Sequence, residues 1–215
     1  MRDTRKLTLT FDNGPDPIAT PLVLDELHRR GLPATFFAVG NRLEDAANRT
    51  LLARVAAAGH RVGNHTYSHP RPFGAIGDAK AVDEIVRTDA LIGDLREPDR
   101  LFRPSAGGGK KQPGALNRGV VDHLIANRHT LVLWNVICED WARPDGSWVP
   151  IAFDIMRKQP WSLIVLHDIA EGGMAHLGTF LDQVAAAGIE VVADFPPEEV
   201  PIRNGELVLP VDHLI

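Results

Sequence analysis

Apolar residues along this chain fall in short runs with a period of two, separated by longer stretches with a helical period. Leu7-Thr8-Leu9-Thr10-Phe11 alternates as a strand does, then stops in Asp12-Asn13-Gly14-Pro15-Asp16-Pro17. A strand therefore delivers two polar side chains to a rigid turn. From Ala19 to Arg30, Leu22, Val23, Leu24 and Leu27 make one helical face, and Gly31 stands where a helix ends. Pro33 to Val39 reads as a buried strand, and Glu44 to Ala58 as a second helix closed by Gly59. The unit repeats with a strand at Arg61-Val62-Gly63, a helix over Ala79 to Leu95, a strand at Leu101-Phe102-Arg103 and a helix over Ala115 to Asn127. Further strands are predicted at Thr130 to Val136, Leu163 to Leu166 and Ile189 to Val192, with helices at Ile151 to Arg157 and Thr179 to Ala187 between them.

Seven strands alternating with helices predict a parallel sheet covered by helices: an α/β fold, a distorted (β/α)7 barrel, with an open doubly wound sheet as the alternative. The 215 residues suit one domain, with residues 195–215 as an appended tail carrying a hairpin turn at Asn204-Gly205. A formal charge of −5 and no basic stripe argue against a nucleic-acid partner. The apolar runs are too short to span a bilayer, so no membrane segment is expected. Met1 to Lys6 is charged and runs straight into the first strand with no apolar leader, which makes the cytoplasm the expected location. Cys138 is the only cysteine, so no intrachain disulfide can form, and its apolar neighbours predict a small buried residue rather than a nucleophile.

The residues after each predicted strand are Asp12-Asn13 at the first, His65 and His69 at the third, Arg103 at the fourth, Asp140-Trp141 at the fifth and His167-Asp168 at the sixth. In a parallel barrel all these ends lie on one rim, so distant positions become one site. His65 and His69 stand four apart; on a helical turn their Cβ atoms would lie about 5–6 Å from each other. That spacing suits two ligands on one divalent metal, and Asp12 and Asn13 are the candidates to complete the site. One of them can approach the metal while the other takes a proton from water. His28, His123, His129 and His213 stand alone and read as structural or exposed. Gly107-Gly108-Gly109-Lys110-Lys111 is similar to a phosphate loop, but Pro104 and Lys111 break that pattern, and a solvated rim loop fits better.

On these residues the chain resembles the polysaccharide deacetylases of the NodB-homology type, carbohydrate esterase family four. Thr10 to Pro15 is similar to the family's Thr-Phe-Asp-Asp-Gly-Pro motif, and His65 to His69 matches its His-Ser/Thr-x-x-His motif. Arg103 to Gly107, Asp140-Trp141 and Val165 to Asp168 are similar to its remaining three motifs, in order. The resemblance implies Asp12 as catalytic base, His65, His69 and Asn13 as the metal positions, and His167 as general acid for the leaving amine. It further implies that Arg103 orients Asp12, that Asp140 fixes the His167 tautomer, and that Trp141, Leu166 and Ala106 line the substrate pocket. Zinc is the implied cofactor, with cobalt or nickel as other divalent ions; the implied partner is a small carbohydrate or amide.

Three positions depart from the family pattern. Asn13 replaces a ligand aspartate, so the metal position gains an amide oxygen but no charge, and a borderline divalent ion is held more weakly. Ala106 stands near the third motif's aromatic position, and Ile137 where the fourth motif starts with Asp. Two readings are open: a metal-assisted hydrolase that removes an acyl group, acetyl first, from an N-acylated sugar or small amide, or a non-catalytic or metal-free relative that binds a carbohydrate or small ligand on the same rim.

Overall fold

The computed structural model describes residues 4–105 and 111–215. In chain order the principal elements are β1 (Lys6–Asp12), α1 (Ala19–Arg30), β2 (Thr35–Ala38), α2 (Ala46–Ala57), β3 (Arg61–Asn64), α3 (Asp78–Ile92), β4 (Leu101–Phe102) and α4 (Arg118–Ala126). They continue with β5 (Thr130–Leu131), β6 (Val136–Ile137), α5 (Trp148–Met156), β7 (Trp161–His167), α6 (Leu177–Ala186), β8 (Glu190–Val191), β9 (Ile202–Arg203) and β10 (Glu206–Leu207). Among the described residues no helix is long and apolar enough to cross a membrane.

All the strands up to β8 pair in parallel, in the order β5-β4-β3-β2-β1-β7-β6, with β8 on the lower part of β1. The two ends of that parallel series, β5 and β6, are successive pieces of one run of chain. The single strand expected over Thr130 to Val136 is thus split: its first part pairs with β4 and its second with β7. The ring is completed by chain continuity rather than by a ladder, giving a distorted barrel with helices outside. The split has a local cause, since the carbonyls of Val132 and Leu133 are turned onto the buried guanidinium of Arg103.

The strand period of two sorts the barrel into layers. On β1, Leu7, Leu9 and Phe11 face outward onto α1, α2, α5 and α6, where they join Val23, Leu27, Leu52, Val55, Phe153 and Phe180. Ala81 and Ile85 of α3 and Val120, Val121 and Leu124 of α4 cover the other flank with Phe102 and Leu131. Inside the ring Phe37, Leu101, Val132 and Leu163 form a separate core with Phe195 and Val200. Gly63 makes this interior possible, because a Cβ there would lie 2.5 Å from the Phe37 ring. Cys138 is fully buried in the outer core, and burial pushes its thiol up out of the reactive range.

The segment read as an appended tail is packed into the barrel. Phe195 and Val200 close its base, Leu133 N–H donates to the Glu199 carbonyl at 2.8 Å, and β9 pairs antiparallel with β5. The turn at Asn204-Gly205, with φ of 49° and 81°, has the two left-handed residues that a tight two-residue hairpin requires. Truncating Phe195→Ala is therefore expected to lower unfolding stability by about 3–5 kcal/mol, the range for deleting a core ring. A urea titration followed by tryptophan fluorescence measures it.

Candidate active site

The register of the sheet sets the site. Asp12 of β1 is paired with His167 of β7, and His65 and Arg103 directly follow the paired Asn64 and Phe102 of β3 and β4. All four side chains therefore reach the same end of the barrel interior, and all four are buried. Asp12, Asn13, His65, His69 and His167 line one cavity of about 230 Å³ with Pro104, Trp134, Ile137, Trp141 and Val165.

Arg103 is the centre of the arrangement. Its Nη1 donates to Asp12 Oδ1 at 2.8 Å and to Thr10 Oγ1 at 2.7 Å, Nη2 donates to the Leu133 carbonyl at 3.0 Å, and Nε to that of Val132 at 3.3 Å. Its guanidinium also lies 4.2 Å from the Phe37 ring centroid. Burial alone pushes the Asp12 carboxyl up, but Arg103, with help from His167, holds it below the usual carboxylate range. Asp12 is consequently ionised, with Oδ1 held by Arg103 and Oδ2 turned toward His65 Nε2 at 3.6 Å.

The turn that carries the two imidazoles is not the helical turn considered for that spacing. Thr66 and His69 have φ of 67° and 51°, left-handed values that break the helical period. The rings are nonetheless neighbours, with centroids 5.1 Å apart. His65 Nδ1 donates to the Arg103 carbonyl at 2.9 Å, which fixes the tautomer and leaves the Nε2 lone pair free. Burial pushes the His65 pKa down to about 4, so the ring is neutral, as a ligand must be. Asn13 follows β1 with a φ of 74°, a conformation Asn tolerates, and its Oδ1 is buried with no hydrogen-bond partner. Gly14 is forced next to it, because a Cβ there would lie 2.1 Å from Asp168 Oδ2. No group of three or more His, Cys, Asp or Glu side chains among the described residues is placed to hold a metal ion. Two imidazoles and the orphaned amide oxygen of Asn13 are the donor set, and they fit a divalent ion that accepts nitrogen and neutral oxygen ligands.

Across the cavity, His167 Nδ1 donates to Asp140 Oδ1 at 2.9 Å, and the His167 backbone N–H donates to Asp140 Oδ2 at 2.8 Å. Trp141 packs edge-on to the imidazole at 4.6 Å between centroids. Burial pulls the His167 pKa down, but the hydrogen bond and charge of Asp140, with Asp12 and Asp168, leave it raised above its ordinary 6.5. Asp168 itself is buried beneath the turn with Oδ1 unpartnered, and burial raises its carboxyl to about 7.

The substrate-facing positions need one correction. Leu166 is fully buried in the outer core, and Val165 takes the place expected for it on the cavity wall. Strand parity explains this, since residues two apart share a face and His167 already points inward. The same parity applied to β7 would have found Val165. Trp134 lies in the irregular stretch between β5 and β6, where no period points inward, and nothing in the sequence marks it as a wall residue. Ala106 lies outside the described residues.

Comparison with known proteins shows the family and the fold. Residues 2–118 match the polysaccharide deacetylase family model. A chitooligosaccharide deacetylase of Rhizobium leguminosarum bv. trifolii is 30% identical over 197 residues, which is 88% of this chain and 85% of the relative. The crystal structure of the Bc1960 peptidoglycan N-acetylglucosamine deacetylase superposes with a TM-score of 0.75 at 25% identity, covering 95% of this chain and 92% of that one. BA3943, a CE4 family pseudoenzyme from Bacillus anthracis, shares the fold with a TM-score of 0.71 at 22% identity, over 89% of this chain and 64% of its own.

The raised pKa of His167 links the site to stability. A group whose folded pKa exceeds its unfolded value contributes stability that is fully present below the unfolded pKa and is lost as pH rises through the folded one. In Asp140→Asn the charge is gone, and the amide must present its NH₂ group to one of two donors, the His167 Nδ1–H or its backbone N–H. The His167 titration is expected to move to lower pH, and the linked stabilisation to be lost with it, so that the variant's deficit is largest below pH 6.5 and shrinks as pH rises through the folded value of the unaltered protein. Imidazole proton NMR on metal-free protein reads the first effect, and urea midpoints between pH 5.5 and 8 read the second.

Proposed function

The chain belongs to the polysaccharide deacetylase family, and from that premise we propose that it hydrolyses the N-acetyl group of an amino-sugar unit, with Asp12 as base and His167 as acid. The proposed substrate is a soluble N-acetylglucosamine oligosaccharide, the class named for its rhizobial relative. One observation carries the reading: an ionised carboxylate braced by Arg103 and an imidazole braced by Asp140 stand on paired positions of adjacent strands and face the same cavity.

Members of this family generally depend on a divalent metal. His65, His69 and Asn13 would hold it here, where it would polarise the acyl carbonyl and lower the pKa of water. The residues of the chain supply the remaining functions. Asp12 Oδ2, the oxygen not taken by Arg103, receives the proton of the attacking water. His167 has Nδ1 committed to Asp140, so its Nε2–H is the proton delivered to the leaving amine. The raised pKa keeps the imidazolium populated for that transfer. Trp134, Ile137, Val165 and Pro104 form an apolar wall that receives the acyl methyl group and excludes bulk water from the reacting bond.

A binding role without catalysis is the second reading, and Asn13 is the observation that favours it, because the donor set carries no charge of its own. The two readings separate experimentally. Asp12→Ala and His167→Ala are each expected to lower acetate release from N-acetylglucosamine oligomers by about 10²–10⁴-fold, the usual contribution of a positioned acid or base. Absence of any acyl release by the unaltered protein supplied with zinc, cobalt or nickel would favour the binding role. Asn13→Asp is expected to tighten zinc binding in calorimetry; unchanged affinity would remove Asn13 from the ligand set.

A further inference from the structure

The turn that holds His65 and His69 has an expensive backbone. Thr66 and His69 both adopt left-handed φ values, and for a β-branched residue such as Thr66 that conformation is a genuine outlier. A conformation of this kind persists only where its surroundings over-determine it. On its carbonyl side the turn is held by backbone, with Gly40 N–H donating to the Thr66 carbonyl at 2.9 Å and Asn41 N–H to that of Tyr67 at 2.8 Å; on its N–H side it is held by side chains of α3 and of the residue at the end of β3. Thr66 N–H donates to Asn64 Oδ1 at 2.9 Å. Tyr67 N–H and Ser68 N–H both donate to Glu84 Oε2, at 2.9 and 2.6 Å, and Ser68 Oγ donates to Glu84 Oε1 at 2.8 Å. Three consecutive backbone N–H groups between the two imidazoles are thus taken by side-chain oxygens. Asn64 is itself anchored, its Nδ2 donating to Asp89 Oδ1 at 2.7 Å and to the Ile85 carbonyl at 2.9 Å.

Glu84 is unusual for its place. It is 6% exposed, on the face of α3 that buries Ala81, Ile85 and Ile92, and among the described residues it makes no ion pair. A buried carboxylate without a cation is costly unless several hydrogen bonds satisfy it. The only donors that satisfy Glu84 among the described residues come from the His65–His69 turn. Its oxygens are therefore satisfied only while the turn keeps its shape, and the N–H groups of Tyr67 and Ser68 are satisfied only while the carboxylate is in reach.

We propose that Glu84 is the positioning residue for the His65–His69 pair, setting the separation of the two imidazoles through the backbone N–H groups of Tyr67 and Ser68. The proposal rests on the reading of His65 and His69 as metal ligands, and it adds a part of the site that lies on a helix behind the turn. Reach, rather than charge, is the working property. Glu84→Gln can keep an oxygen at the Oε2 position for both N–H groups and offer its NH₂ to the Ser68 hydroxyl. Glu84→Asp keeps the charge but withdraws the oxygens by one methylene.

The test is zinc affinity of the full chain, measured by competition with a chromophoric chelator on protein first stripped of metal, together with amide hydrogen exchange at Tyr67 and Ser68 in the stripped protein. Glu84→Asp and Glu84→Ala are expected to weaken zinc binding by about tenfold to a hundredfold, the range for loss of a supporting partner of a ligand. Both should also lose amide protection at Tyr67 and Ser68, while Glu84→Gln stays within a few-fold of the unaltered protein in both readouts. If Glu84→Ala does not fold, the contrast between Asp and Gln decides. Wild-type zinc affinity and wild-type amide protection in Glu84→Asp would overturn the proposal. His65→Ala separates the two levels. If it binds zinc like the unaltered protein, the ligand reading fails, and the amide exchange still judges Glu84. If it loses zinc while Glu84→Asp does not, only the Glu84 assignment falls.

Discussion

The ion pair between Arg103 and Asp12 is the constraint on which the rest of this barrel depends. Both groups are inside the ring, and Arg103 has no solvent-exposed surface at all. Taking two charges out of water costs several kcal/mol for each ion, and only good geometry with further hydrogen bonds offsets it. Here the geometry is supplied by the irregular backbone. Strand regularity at Val132 and Leu133 is given up so that their carbonyls can meet the guanidinium. Phe37 covers one face of it, and Gly63 leaves room for that ring. The Arg103 carbonyl in turn fixes the His65 tautomer, so a single residue governs the charge of Asp12 and the orientation of His65.

Much of this is legible in the order of the residues. The strand ends carry the chemistry because parallel strands all point one way, and the polar side chains just beyond those ends include Asp12, His65, Arg103, Asp140 and His167 before any distance is known. The illegible parts have definite physical reasons. A period of two assumes an unbroken strand, and the strand over 130–136 is broken by a tertiary contact to Arg103 that no local pattern encodes. Leu166 as a pocket residue is one position out of phase, an error that parity with His167 corrects. The tail has weak periodicity because its residues plug the base of a ring, as Phe195 and Val200 do, and do not form long elements of their own. Glu84 is invisible in the sequence because a glutamate in an amphipathic helix reads as a solvated residue until its partners are known.

The two halves of the site differ in electrical character. On one side the Arg103 guanidinium, with the His167 imidazole across the cavity, favours the charged form of the Asp12 carboxylate. On the other a carboxylate, Asp140, keeps an imidazole charged. Each titrating group is thus biased toward the protonation state that its proposed step begins from, and the hydrogen-bonded brace of each, Arg103 or Asp140, does not itself line the cavity. Asn13 brings to the same cavity an amide that carries no charge and makes no hydrogen bond through its Oδ1, so it takes no part in either pair.

The position of β1 in the sheet has a consequence for how the chain reaches this state. β1 is the first strand in sequence, yet along its whole length it pairs with β7, and the Thr10 hydroxyl donates to the Ile164 carbonyl 154 positions later. Contacts so distant in sequence impose a large loop-closure cost before they return any energy, and they slow folding. The backbone of β1 therefore keeps one edge unpaired, and Leu7, Leu9 and Phe11 lack their contacts with α5 and α6, until almost the whole chain has been assembled. Asp12, at the end of that strand, waits equally long for His167. The two groups that face each other across the cavity are among the last to meet, so a chain arrested short of β7 would carry most of the helices and half of the site but no His167 opposite Asp12.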